Sequence, residues 1–165
     1  TDHIPADAGL PPSIPAEAVP TGVTVASDGT VFVGELKGFP FRPGSSNIWK
    51  VDPDAEDALC STSVADPSCR QVPGTFTAIQ DIAVDLSERA MYVYELAAGG
   101  VLAFEAGFAA GDFPPAVLLK VTGAGQSTEL VAGELSEPGG VAVNDNGVFV
   151  TDGLFSEGRL LKIQE

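Results

Sequence analysis

Histidine is almost missing from this sequence, cations are few, and no apolar run is long. The one histidine, His3, lies at the N-terminal end, far from every other cluster of polar residues. That removes the usual general base and the usual partner for a Cys-based metal pair. Lys and Arg together number eight against 23 Asp and Glu, a formal net charge of −15. Such a surface repels phosphate backbones and anionic headgroups, which argues against nucleic acid and anionic membranes as partners. Cations, basic partners or a saline medium suit it better. The acids are spread along the chain, eleven up to residue 82 and twelve after it, so they read as a solvated surface and not as an acidic tail. Apolar runs such as "AVLL" at 116–119 are strand-sized, far short of the ~18 residues a membrane span needs. There is no phosphate-binding glycine loop, no HExxH, no EF-hand pattern, and no serine with a base placed to activate it. No residue is therefore assigned as catalytic, and the sequence leans away from an enzyme.

What is present suits one domain: 165 residues, of which 44% are hydrophobic. The chain opens on Thr1 with neither an initiator Met nor a signal peptide, as expected of a processed chain or a piece of a larger one. The two cysteines, Cys60 and Cys69, bracket the polar loop "CSTSVADPSC". A disulfide between them would imply an oxidising, extracellular or cell-surface setting. Two free thiols are the alternative.

Residues 1–20 hold Pro5, Pro11, Pro12, Pro15 and Pro20 and read as an extended proline-rich arm. From residue 21 to 165 the pattern is strand-like. "GVTVASDGTVFVGEL" (22–36) is two apolar strands around Asp28-Gly29, a strong hairpin signal. "DIAVDLSERAMYVYEL" (81–96) repeats it with a longer turn, and "GGVAVNDNGVFVTDG" (139–153) is a third copy turning at Asn146-Gly147. Gly22, Asp81 and Gly140 precede the first strand of each copy, and Glu35, Glu95 and Asp152 end the second, a repeat of about 57–60 residues. A third strand follows in each ("NIWKVDP", "PAVLLKVT", "GRLLKIQE"). A fourth follows in the first two ("CRQVPGT", "STELVAG"). Helix signals are weak: "PAEAV" and "DPDAEDAL" suit single turns, "GVLAFEA" sits among the strands, and "AFEAGFAAGD" is interrupted by Gly107 and Gly111.

Repeated four-stranded antiparallel units are blades of a β-propeller. The expected fold is all-β, with three blades in this chain. Three blades do not close a ring, and an open fan leaves apolar faces wet. A six-bladed ring then needs a second copy of the chain or a separate half-propeller chain. The arm is a candidate for the fourth strand of the third blade, in cis or in trans, as an edge strand only.

Beyond the repeat pattern, the segment "PTGVTVASDGTVFVGELKGFPFRPGSSNIWKVDPDA" has a signature of its own. Pro20-Thr21-Gly22, Asp28-Gly29, Gly34-Glu35-Leu36, Gly38-Phe39-Pro40-Phe41, Gly44 and Val51-Asp52-Pro53 carry it. Asp81, Ala83, Tyr92, Val93, Glu95 and Leu96 follow in the second copy, and Pro138, Gly140, Ala142, Val143, Gly147 and Val150 in the third. These residues resemble the ScyD/ScyE family, which belongs with the NHL/SMP-30-like six-bladed propellers. The resemblance covers roughly residues 18–165, and family members are usually about twice this length. It implies a half propeller, in many members secreted, and no defined reaction.

Three readings of function compete. The first is a non-enzymatic extracellular structural or binding protein that assembles into a six-bladed ring. The second is a calcium-dependent hydrolase or lactonase of the SMP-30-like type. Glu35, Glu95 and Asp152 are its ligand set: equivalent positions on one face and radius would turn three carboxylates toward one opening, where Ca²⁺ takes oxygen ligands. The alternative for these acids is that each caps backbone N–H groups or pairs with Lys or Arg. The third is a module for a small apolar or pigment-like ligand. Phe39, Pro40 and Phe41 then form a contact for ligand or partner, with Phe108 and Phe113 as counterpart; the alternative is that the loop folds back as core. Trp49 reads as packing within a blade.

Overall fold

The structure, a computed structural model, describes residues 2–5 (backbone only), 13–85, 89–123 and 125–164. Thirteen strands form, and most of them assort into three antiparallel sheets. Sheet one is β3 (Pro20–Val25), β4 (Val31–Glu35), β5 (Asn47–Val51) and β6 (Cys69–Gln71) in sequential order. Sheet two is β7 (Ile79–Asp85), β8 (Ala90–Glu95), β9 (Val117–Thr122) and β10 (Gln126–Leu130), again sequential. Sheet three has three strands, β11 (Val141–Asn144), β12 (Gly147–Asp152) and β13 (Arg159–Ile163).

The hairpin signals mark real turns. Val25 pairs with Val31 across the Asp28-Gly29 turn. In the third copy Asn144 pairs with Gly147, so the turn is Asp145-Asn146, one residue earlier than expected. The turn residues 86–88 of the second hairpin, and Ala124 in the "VTGAGQST" turn, lie outside the described residues.

The sheets stack face to face in chain order, with the first strand of sheet two, β7, packed between β3 and β11. Register decides which side chains fill each seam. On sheet one Phe32 and Ile48 point toward sheet two, and with Ile82, Met91, Val93 and Val121 they form one buried cluster. Tyr92, Tyr94 and Leu118 occupy the opposite face of sheet two and meet Val141, Val148, Val150 and Ile163 of sheet three. Each seam is apolar because two pleated faces are buried at once. The result is an all-β, β-propeller-like array.

Three features depart from the sequence reading. First, "GVLAFEAGFAA" is a helix, α1 (Gly100–Ala110), closed by Gly111 in the left-handed conformation. It has no side-chain N-cap, no acid in its first turn and no base in its last, so propensity and capping contribute little to it. Its anchor is Phe104, which packs with Phe113 and with Phe155 of the β12–β13 loop. Second, the arm does not complete sheet three within the chain. β1 (Asp2–Pro5) and β2 (Ser13–Ala16) pair with each other instead; residues 6–12, with Pro11 and Pro12, lie outside the described residues. Third, the arm continues onto the end of sheet one. Glu17 and the Gly38-Phe39 backbone exchange bonds in both directions, and Leu36 N–H donates to Val19 O at 3.0 Å. Cys60 and Cys69 form the expected disulfide, tying the β5–β6 loop to the start of β6.

Candidate functional site

Glu35, Glu95 and Asp152 end β4, β8 and β12, and all three are buried. They do not meet. Among the described residues, no group of three or more His, Cys, Asp or Glu side chains is placed to hold a metal ion. The pleat explains why. Strand residues alternate between faces, and at this position the side chain turns sideways toward the preceding sheet. Glu95 therefore lies on the face that carries Met91 and Val93 into the seam with sheet one, and Asp152 on the face that carries Val148 and Val150 into the seam with sheet two. Glu35 shares its face with Val33 and Val31, the face of sheet one turned away from sheet two. The expected Ca²⁺ ligand set is thus divided among three surfaces, and capping or pairing describes each carboxylate.

Glu35 accepts from Lys37 Nζ at 2.7 Å and from Asn47 Nδ2 at 3.1 Å. Gln71 Nε2 donates to Asn47 Oδ1 at 2.9 Å, so a polar relay crosses sheet one from strand to strand. Lys37 is almost fully buried, and a charge so placed needs the carboxylate beside it. A cavity of ≈ 400 Å³ adjoins the pair, walled by arm residues 15–18 and by the disulfide loop at Leu59, Cys60 and Ser61. The arm and that loop thus lie over the outward face of sheet one.

Glu95 Oε1 accepts from Thr77 N–H at 2.7 Å. Burial pushes its carboxyl up to about 7; the Thr77 bond opposes that rise and the nearby charge of Glu129 adds to it. Asp152 is held more fully. Its Oδ1 accepts from Tyr94 O–H and from Ser136 N–H, each at 3.0 Å, and its Oδ2 pairs with the Arg159 guanidinium. Burial, then the Asp152 charge, drives the Tyr94 hydroxyl well above its ordinary value, so it remains a donor.

Sequence reasoning missed the partners. Tyr94 and Asp152 are 58 positions apart, and nothing in either motif announces the contact. Asp81 marks the start of a repeat and part of the signature in the sequence, and neither announces its contact. Its carboxylate bridges to sheet three, where Val141 N–H donates to Oδ2 at 2.8 Å. Gly22 lies so close that a Cβ there would sit 2.8 Å from Asp81 Oδ1; only glycine permits that approach. Burial raises the Asp81 carboxyl, against the bonds from Val141 and Ile82.

The "GFPF" loop joins β4 to β5 at the same end of the molecule. Phe39 is 50% exposed and stands edge-on to Phe41 with ring centres 6.3 Å apart, so Phe39 is not core. Gly44 N–H donates to Thr77 Oγ1 at 2.9 Å and Ser46 N–H to Phe76 O at 3.1 Å, which stitches the loop to the entry of sheet two. The corresponding ends of sheets two and three share a second aromatic group. Phe108 meets Phe113 and Phe155 at 5.7 and 5.2 Å, and Phe113 stacks on Phe155. Trp49 is buried as expected, though its indole N–H has no partner among the described residues.

No helix among the described residues is long and apolar enough to cross a membrane. No family model matches the chain, and no curated protein matches it. Among solved structures, it is similar to a chain in the crystal structure of a nidogen/laminin complex, at 12% identity and a TM-score of 0.53. The likeness covers 90% of this chain and 49% of that one. At that identity it speaks to the fold alone: this β-propeller-like chain spans about half the length of its structural neighbour.

Proposed function

We propose that the protein is a non-enzymatic structural or binding protein that works as half of a six-bladed propeller, with a second copy of itself completing the ring. One observation carries this reading. Val23, Ile82 and Val141 occupy the same position in the three first strands. Ile82 and Val141 are 2% and 8% exposed in their seams, whereas Val23 is 66% exposed on the outward face of sheet one. Val25 beside it is also exposed, and on sheet three Leu160 of β13 is 72% exposed. Val23, Val25 and Leu160 lie on the parts of the two outer faces that the chain itself leaves uncovered; the next blades of a ring would cover them, and apolar surface left in water favours association.

The length of the structural neighbour supports the reading, as does the resemblance to the ScyD/ScyE family. A separate half-propeller chain in place of the second copy is the alternative. The disulfide is compatible with an extracellular location, which we propose for the assembly. Native mass determination tests it. The expected result is a two-chain mass that falls to one chain in Val23→Asp, a change at an exposed site that leaves the fold of the single chain intact. A one-chain mass at micromolar concentration, unchanged by the substitution, overturns self-completion.

A further inference from the structure

Three of the eight cations in this acidic chain gather at one cleft. It opens between sheets one and two, at the end of the strands opposite the seam carboxylates, and encloses ≈ 460 Å³, within the range of about 300–1,000 Å³ typical of small-molecule sites. Register builds its two walls. On sheet one Phe32, Lys50 and Arg70 are cross-strand partners along one row of β4, β5 and β6, so all three stand on the face toward sheet two. Phe32 is buried at the inner end, and Lys50 and Arg70 are exposed toward the mouth. On sheet two the facing row is Val84, Met91 and Val121, wholly apolar. Arg89, just before β8, lines the same cleft.

Among the described residues no Asp or Glu lines it; Glu88, next to Arg89 in sequence, lies outside the described residues. Two acids act on the cations from beside the cleft. Asp52 pairs with Arg70 at 3.1 Å where both are exposed, and Asp28 lies within electrostatic reach of Lys50. An exposed pair of that kind is weak, so an incoming anion meets little competition from it.

We infer that this cleft binds a small amphipathic organic anion, its aromatic or aliphatic body against Phe32, Met91 and Val121 and its acid group at Lys50 and Arg70. Burial of the body supplies the attraction. The cations supply the selection, because a neutral analogue leaves them without a charge-assisted bond. The cleft lies within one chain, so the inference does not rest on ring closure, and it concerns a different surface from the loop phenylalanines.

The test is calorimetric titration of the intact protein with 2-naphthoate and with its neutral analogue 2-naphthalenemethanol. The expected result is saturable binding of one naphthoate per chain, with the alcohol weaker by about tenfold or more, the discrimination one charge-assisted hydrogen bond supports. Lys50→Gln combined with Arg70→Gln should weaken naphthoate by a similar factor. Both side chains are exposed, and an unchanged thermal melt would separate lost binding from lost fold. Phe108→Ser, at the distant aromatic group, should leave binding intact. The inference is overturned by non-saturable binding, by equal affinity for acid and alcohol, by unchanged affinity in the double variant, or by loss of binding in Phe108→Ser.

Discussion

The two closed seams hold a carboxylate at the same repeat position and treat it differently. Between sheets one and two, Glu95 receives one backbone N–H and, among the described residues, no cation, and its proton is held up to about 7. Between sheets two and three, Asp152 receives a tyrosine hydroxyl, a backbone N–H and a guanidinium. The outward face of sheet one offers a third solution, in which Glu35 is balanced by Lys37 and Asn47 of its own sheet. Position in the repeat decides that a carboxylate is buried. Its neighbours decide what stabilises it there, and in Glu95 they leave the charged form disfavoured.

The comparison breaks most strongly at the fully partnered site. Asp152→Ala strands the Tyr94 hydroxyl, the Ser136 N–H and one side of Arg159, and should cost about 3 kcal/mol by urea unfolding; the figure is held at the low end because Arg159 is half-exposed. Next in size is Cys60→Ser, which releases the loop beside the Glu35 cavity. A closure of nine residues predicts a loss of about 2–3 kcal/mol, with Trp49, the sole tryptophan, reporting the transition.

Glu95→Gln should act in the opposite direction. The folded carboxyl, at about 7 against an ordinary 4.5, binds its proton more tightly than the unfolded one. Its contribution is therefore complete below about pH 4.5 and is lost as pH rises through 7. Gln keeps the Thr77 bond and carries no charge, so the variant should match the parent at pH 4.5 and exceed it at pH 8 by about 2–3 kcal/mol. Equal stability of the two proteins at pH 8 would show that Glu95 is not strained by its burial. The smallest effect is expected from Tyr94→Phe, about 1–1.5 kcal/mol, since Asp152 keeps its other partners and no buried donor is stranded.

Much of the fold was legible because its signals are local. Asp28-Gly29 turns a hairpin through backbone geometry alone, and the β-branched and aromatic run Val31, Phe32 and Val33 marks a strand whatever lies next to it. The Cys60–Cys69 spacing kept its promise for the same reason. Helix α1 was not legible, because Gly107 reads locally as a breaker. In the folded chain a Cβ at Gly107 would fall 2.5 Å from Asp112 O and from Pro114 Cδ, so the glycine serves the close return of the chain after the helix. Long-range packing of Phe104 outweighs the poor local propensity.

The candidate site divides along the same line. Sequence periodicity alone determined three repeats, their two-strand hairpins, the acids that end the second strands, and an apolar interior between sheets. These follow from spacing, and spacing is visible in one dimension. Only the tertiary structure decided where those acids point and whom they meet. The pleat turns Glu95 and Asp152 into separate seams, and partners such as Tyr94 for Asp152 and Val141 for Asp81 come from the neighbouring sheet. A contact across nearly sixty positions depends on how two twisted sheets stack, and no local preference of either segment encodes it.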